Sequence, residues 1–456
     1  MLFTCLVDKL HAAIQNKNHY HGLCTGTGRH QLKHQVQGNS MSSSIVRRLL
    51  TLSALMPLLA ACSLPSPRPS DTSAVADLAP APSQTLIIDT HIDAPFRLHR
   101  RYADLSQSAP DGQFDYPRAK AGGLNGAFMS IYIPATVDEA GGSVALANKL
   151  IDDMEAIALA HPDKFAIATC TTDIYAHAED GLISLPMGME NGGPVAASAD
   201  ALGHFYTRGI RYISLTHSKS NALSDSSYDL NEPLGGLSPL GRETVRRMNS
   251  LGIMVDVSHI SDAAFEQVLA VSQAPVIASH SSLRHFVPGF HRNMSDDMVR
   301  ALGAAGGVVQ INFGSSFVTA QARAYSNRAR LIIGKFQREN NLTWESPELR
   351  AFRAEYRKGN PYPFASLDTV LDHIDRTVEL AGVGAVGIGS DYDGVGDTLP
   401  TGLKDVSTYP ALMDGLRKRG YSQQDIDKIM GGNLMRVWRD VEKFAEAQGN
   451  PALCAG

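Results

Sequence analysis

Eight short apolar runs, separated by loops and by stretches of helical periodicity, constrain the fold of this chain more than any other feature. They are TLIIDTHID (85–93), GAFMSIYIP (126–134), LISLPMGME (182–190), IRYISLTHS (210–218), GIMVDVSH (252–259), APVIASHS (274–281), GGVVQINFG (306–314) and AVGIGSDYDG (385–394). The intervening amphipathic segments include SVALANKLIDDMEAIALAHP, LGRETVRRMNSLG and LDTVLDHIDRTVELAG, and several such segments open at Ser or Asp or close at Gly, as helices do. Strands joined through helices pair in parallel, and eight such units predict an α/β fold of the (β/α)8 TIM-barrel type. A further run, FAIATC (165–170), leaves the strand count open by one.

In a parallel barrel every C-terminal strand end opens on one face, and that face hosts active sites. Six of the runs end in a group able to bind metal or move protons: His91 with Asp93, Glu190, His217, His259, His280 and Asp391. Of the eleven histidines beyond residue 40, four stand at these positions. Any one of them alone reads as a hydrogen-bonded strand-end residue. Burying all of them together is costly unless a cation organises them. Imidazoles and carboxylates in this ratio suit zinc, which takes N and O ligands at ~2.0–2.2 Å. The surplus over one ion's needs suggests two Zn2+, with a carboxylate such as Glu190 between them and a shared water lowered in pKa. Asp391 suits a proton shuttle to that water and then to a leaving amine. Asp89 reads either as an acceptor behind a ligating imidazole or as a buried structural carboxylate. His99, His285 and His291 read as surface residues.

The N-terminal region has a different character. Residues 1–40 are polar and aperiodic and read as an upstream extension, with translation expected to start at Met41. Residues 41–62 carry Arg47 and Arg48 before the apolar run Leu49–Ala61, too short for a ~20-residue membrane span and typical of a secretion signal. It ends in Leu59-Ala60-Ala61-Cys62, which resembles a bacterial lipobox and marks Cys62 for lipidation; an ordinary signal with a chance cysteine is the alternative. Residues 63–84, rich in Pro, Ser and Ala, form a tether. Residues 85–445 form the barrel domain, with a charged insertion at 315–365 that reads either as a lid or as a solvated excursion. A formal charge of −5 with no basic stripe argues against nucleic acid as a partner. Among the remaining cysteines, Cys170 is expected to be a buried free thiol, although it and Cys454 suffice for one disulfide.

DTHIDAP, GMENGG, RYISLTHS, VDVSHIS, APVIASHSS, HRNMSDDMVRAL and AVGIGSDYDGV, spread over residues 85–440, resemble the membrane (renal) dipeptidases, peptidase family M19, of the metal-dependent amidohydrolase superfamily. The resemblance implies a zinc-dependent dipeptidase acting on L-Xaa-L/D-Xaa dipeptides by a metal-bridging hydroxide. It implies His91 and Asp93 on one zinc, His259 and His280 on the second, and Glu190 bridging them. It further implies His217 on the scissile carbonyl and its oxyanion, Arg292 on the substrate's C-terminal carboxylate, Asp391 as acid/base, and Asp393 in support. A lipid anchor at the bacterial cell envelope would be the membrane partner, and a homodimer is one assembly the resemblance allows. The chain departs from the family at Ile92, where Asn is frequent, in the loop after Glu190, and at Gly314, where an aromatic is common. Two other readings stay open. One is a di-metal amidohydrolase of N-acyl amino acids, lactones or cyclic amides, bridged by a carboxylated lysine for which Lys219 is the nearest candidate. The other is a catalytically inactive envelope binding lipoprotein.

Overall fold

The computed structural model describes residues 85–454; the extension, signal, Cys62 and tether lie outside the described residues. Ten strands form one sheet: β1 (Ile88–Ile92), β2 (Gly126–Tyr132), β3 (Phe165–Ala166), β4 (Ile183–Ser184), β5 (Met187–Glu190), β6 (Ile210–Ser214), β7 (Met254–Asp256), β8 (Ile277–Ser281), β9 (Val308–Ile311) and β10 (Val386–Ile388). Every pairing is parallel, in the order β1-β2-β5-β6-β7-β8-β9-β10, with β4 and then β3 branching from the start of β2. Each of the eight apolar runs supplies a strand, and FAIATC supplies β3. The run at 182–190 divides into β4 and β5 around Leu185 and Pro186, because proline has no N–H to give to a ladder.

The sheet is curled, and isolated contacts link its two end strands. Ile92 and Tyr392 form an isolated parallel bridge, and the Asp391 N–H donates to His91 O at 3.1 Å. Thr90 Oγ1 donates to the carbonyls of Ser279 and Ile388, tying β1 to β8 and β10 across the curl. Among the described residues no ladder joins β1 to β10, where the sequence predicts a closed barrel.

Alternation along the strands divides the core. Met129, Ile213, Val255 and Val309 pack on the side covered by helices, while Phe128, Tyr212, Met254 and Val308 share a second cluster with Trp438 of the helix Asn433–Ala447. Gly188 on β5 makes room for this second cluster: a Cβ there would lie 2.0 Å from the Tyr212 ring. Helices begin at serines whose side chains accept a backbone N–H three residues on, as at Ser238, Ser261 and Ser295. Between β9 and β10 the chain adds the helices Ser315–Val318, Ala320–Glu339 and Pro347–Gly359 before Leu367–Ala381.

Cys170 is not a free thiol. It is disulfide-bonded to Cys454, with Cα atoms 5.1 Å apart. The C-terminal tail returns to the Thr169–Thr172 segment, where Thr169 Oγ1 and Arg211 Nη2 both donate to Leu453 O. A sequence separation of 284 residues hid this proximity.

His373 is a fully buried histidine that no motif marked. Its Nδ1 accepts the Leu283 N–H and its Nε2 meets Val318 O, both at 3.1 Å, pinning the loop after β8 to the start of the inserted helices. Burial, with His285 nearby, pushes its pKa from 6.5 down to about 4. A histidine kept neutral in the fold is more readily protonated when unfolded. Its contribution is therefore complete above pH ~6.5 and is lost as pH falls toward 4, about 3 kcal/mol in all. In urea melts at pH 7 and pH 4.5, the native chain should lose about 2 to 3 kcal/mol more than His373→Gln. Equal losses would remove His373 as the source.

Candidate functional site

Because the strands are parallel, the ends of β1, β5, β6, β7, β8 and β10 lie along one edge, and their polar residues converge there. Glu190, the last residue of β5, is the centre. Its Oε1 lies 2.9 Å from His259 Nε2, 3.2 Å from His280 Nε2 and 3.6 Å from His217 Nε2, and its Oε2 lies 3.6 Å from His91 Nε2. Asp93 Oδ2 approaches His91 Nε2 at 3.5 Å, and the His91 and His280 rings stack with centroids 3.7 Å apart. All of these except His217 are buried, and His217 is largely so. Three overlapping ligand groups result: His91, Glu190 and His280; Glu190, His217 and His259; and His91, Asp93 and Asp391.

Local backbone irregularities aim these side chains. The β1–β2 register slips between Asp89 and Ile92, around His91, and the β8–β9 register slips between Ala278 and Ser281, around His280. Such bulges redirect a side chain that regular alternation would send elsewhere. His259 (φ 74°) and Asp391 (φ 62°) adopt left-handed backbone, which costs on the order of 1–3 kcal/mol each and marks positions held by their surroundings.

Two buried aspartates provide that hold. Asp89 Oδ1 accepts the N–H groups of His91 and Ser390, and its Oδ2 accepts the Tyr409 hydroxyl at 2.6 Å. It is therefore a structural carboxylate joining the ends of β1 and β10, not an acceptor behind an imidazole. Asp256 accepts the N–H groups of Ser258 and Ser279 and the hydroxyls of Ser214 and Ser279. Ser279 Oγ in turn meets His280 Nδ1 at 2.7 Å, and the Tyr212 hydroxyl meets His91 Nδ1 at 2.8 Å. Sequence reasoning missed Asp256, Ser279 and Tyr212. Tyr212 sits inside an apolar run and carries no polar signal.

The electrostatics favour a cation. Burial works against charge on Glu190, yet His217, His91, His259 and His280 outweigh it and hold its carboxyl well below the usual range. Burial, with Arg292 close by, keeps His259 well below the usual imidazole value, and burial with His91 and Arg292 does the same to His280. Burial likewise lowers His217. The shifts favour the neutral form of these three rings, the form that binds metal. Burial opposes charge on His91 too, but Tyr212, Asp93 and Glu190 outweigh it and raise that ring well above the usual imidazole value. His91 Nε2 and Asp93 Oδ1 are buried without a hydrogen-bond partner. His259 Nε2, His280 Nε2 and Glu190 Oε1 lie 2.8–3.2 Å from one another, near the ~3.3 Å edge of a tetrahedron of zinc ligands. The donor set fits zinc.

The site opens into a cavity of about 1280 Å³ lined by Asp93, Glu190, His217, His259 and Asp391. Asp391 is buried, and Asn312 Nδ2 donates to its Oδ2 at 2.7 Å. Burial, with Asp93 facing it, raises its pKa well above the usual carboxyl value. Asn312 directly follows β9, so the strand-end rule would have found it had amides been counted. Asp393 instead pairs with Arg97 at 2.9 Å and accepts the Gln113 N–H, fastening a loop.

Arg292 is buried behind the cavity wall: Nη1 donates to Ser281 Oγ, Nη2 to His280 O, and Nη2 lies 3.1 Å from His259 Nε2. Lys219 is half-exposed and paired with Glu139 at 2.6 Å, apart from the cluster. Ile92 is fully buried among apolar neighbours, so the residue between His91 and Asp93 serves packing. A Cβ at Gly314 would lie 2.9 Å from Phe317, which leaves no room for an aromatic there.

Residues 79–452 match the family model of the membrane dipeptidases (peptidase family M19). The chain is 30% identical over 384 residues to an uncharacterized dipeptidase, C3A11.10c, of Schizosaccharomyces pombe, covering 80% of this chain and 83% of that protein. It is also 30% identical over 374 residues to dipeptidase 3 of Mus musculus, covering 79% of this chain and 65% of that one. Among solved structures, the probable dipeptidase PvdM of Pseudomonas aeruginosa aligns with a TM-score of 0.68 and 30% identity over 79% of this chain and 96% of its own.

The Tyr212 hydroxyl is the partner that orients His91. Tyr212→Phe should keep the far-UV circular dichroism of the parent and weaken zinc binding by about 10- to 100-fold in calorimetric titration. Undiminished affinity would show that His91 needs no such partner.

Proposed function

The chain belongs to the membrane dipeptidase family, peptidase family M19, and is a metallo-dipeptidase; from that premise we propose how its residues divide the work. The convergence of four imidazoles on Glu190 at the mouth of the cavity carries this reading. His91 and Asp93 would hold one zinc and His259 and His280 a second, with Glu190 shared between them. When bound, such ions supply Lewis acidity to a carbonyl and lower the pKa of water toward neutrality.

The protein's own groups account for the remaining steps. His217 lines the cavity as a neutral ring, so its one N–H can donate to the carbonyl oxygen as negative charge develops there. Asp391 takes the proton lost by the attacking water and delivers it to the departing amine; Asn312 fixes one carboxyl oxygen and leaves the other for that traffic. Arg292 has no carboxylate partner among the described residues, which leaves its charge for the substrate's C-terminal carboxylate. It lies behind the cavity wall against Ser281, His280 and His259, so that role rests on the family resemblance. A requirement for that terminus limits substrates to dipeptides, with an L- or D-residue second.

Two wider points complete the proposal. The Ile92–Tyr392 bridge and the Thr90 hydrogen bonds support a sheet that completes a (β/α)8 barrel. The Leu59–Cys62 tetrapeptide supports a lipid anchor on Cys62 at the cell envelope. Among the described residues no helix is long and apolar enough to cross a membrane. The rival with a carboxylated lysine is disfavoured by the position of Lys219, paired with Glu139 away from the imidazoles.

Metal analysis of the purified chain should find two zinc ions. Glu190→Ala should retain fewer than one, while Lys219→Ala should keep both. Chelation should abolish hydrolysis of L,L- and L,D-dipeptides, and zinc should restore it. Asp391→Asn should keep its zinc and lose about 10²- to 10⁴-fold in kcat. Retention of both ions by Glu190→Ala would refute the shared carboxylate.

A further inference from the structure

The cavity wall carries arginines that the proposed chemistry does not use. Three of those lining it are neutralised: Arg97 by Asp393 at 2.9 Å, Arg100 by Glu345 at 3.2 Å and Arg101 by Asp111 at 2.7 Å. Arg323 and Arg330 also line it, and among the described residues neither has an acidic group within ion-pair distance. Both belong to the helix Ala320–Glu339, where positions 323, 326 and 330 fall on one face, and Ser326 lines the cavity between them.

Arg323 is half-buried and held in place. Its Cζ lies 3.6 Å from the centre of the Phe290 ring, a stacking contact that occupies one flat face of the guanidinium. The in-plane N–H groups remain available, in the forked arrangement that matches a carboxylate. Burial, with the like charge of Arg330 close by, lowers the Arg323 pKa, so the pair repel one another until an anion joins them.

An aromatic wall connects this pair to the proposed chemistry. The Tyr228 ring lies 6.1 Å from that of His259 and 6.1 Å from that of Phe290. Phe290 in turn neighbours Phe317 at 5.7 Å, and Arg292 lies over Phe317 with its Cζ 5.7 Å from the ring centre. Arg323 and Arg292, the residue assigned to the C-terminal carboxylate, therefore meet the same aromatic wall, Arg323 from the cavity and Arg292 from behind it. The side chain nearest Arg323 would be that of the substrate's second residue.

We propose that Arg323, assisted by Arg330, forms a carboxylate-binding subsite for the side chain of the second residue, so that the enzyme prefers dipeptides ending in aspartate or glutamate. This rests on the dipeptidase reading and adds a substrate class to it.

L-Ala-L-Glu and L-Ala-L-Gln differ in charge at nearly constant shape, so the ratio of their kcat/KM values isolates the subsite. In the zinc-loaded protein that ratio should favour L-Ala-L-Glu by about tenfold or more and should fall about tenfold in Arg323→Gln, while Arg323→Glu should prefer L-Ala-L-Lys over L-Ala-L-Glu. A ratio near one, or one unchanged by Arg323→Gln, would overturn the proposal. Calorimetric binding of the same two dipeptides is the second arm. Tighter binding of L-Ala-L-Glu by the parent but not by Arg323→Gln supports the subsite even if no dipeptide is hydrolysed, an outcome that would instead defeat the dipeptidase reading. Equal binding of the two dipeptides by the parent overturns the subsite. Melting temperatures within a few degrees of the parent confirm that each variant folds.

Discussion

A carboxylate buried among four imidazoles is the constraint around which the rest of this structure is arranged. Glu190 cannot sit in a dry interior as an isolated anion, because desolvation would protonate it. The imidazoles reverse that outcome only while their nitrogens point at it, within 2.9–3.6 Å. In turn, neutral rings crowded at 2.8 Å, as His259 and His280 are, share lone pairs that a divalent cation satisfies better than the rings satisfy one another. The cluster is thus a device for holding charge of the opposite sign. It persists because the surrounding backbone leaves the side chains little freedom to turn away.

That restriction comes from groups that touch no substrate. Asp89 and Asp256 each accept backbone N–H groups from two different strands or strand ends, and each is further bound by hydroxyls. A buried carboxylate with this many donors is fully satisfied, and it fixes the spacing of the strands that carry the histidines. The register slips at His91 and His280 then turn the rings inward, and Tyr212 and Ser279 set the ring orientation from behind. Gly188 is part of the same arrangement, since any side chain there would displace the Tyr212 ring that meets His91. Positioning is therefore spread over residues that are individually unremarkable in sequence.

This explains what could be read in advance. The strands were legible because apolar runs of strand length between helical stretches carry a strong periodic signal. The cluster was legible because ionisable residues ending such runs are uncommon. Tyr212 and Gly188 were not, since both lie inside apolar runs where nothing distinguishes function from packing. The bulges were invisible because they are properties of pairing between two strands. Asp256 looked like part of a histidine motif, and its role emerged only with Ser258 and Ser279 around it. The Cys170–Cys454 bond spans 284 residues, and no local pattern predicts so distant a partner. Ile92, the irregularity between His91 and Asp93, proved to face the apolar core, so its chemistry has no bearing on the site.

The division between sheet edge and inserted helices has a physical logic. Groups that must hold ions and protons are best placed at strand ends, where hydrogen-bonded neighbours fix them to a few tenths of an ångström. Groups that recognise a variable side chain need reach and the freedom to change without disturbing that frame. The helices between β9 and β10 supply this: Phe317 fills the space beside Gly314, and Arg323 and Arg330 meet the cavity from a helix that no strand must support. The helices are anchored by His373 at Val318, and an exposed Arg100–Glu345 pair touches the loop between two of them, although they contribute nothing to the sheet. Substitutions along the cavity-facing side of Ala320–Glu339 can then alter which dipeptide fits while Glu190 and its imidazoles keep their positions.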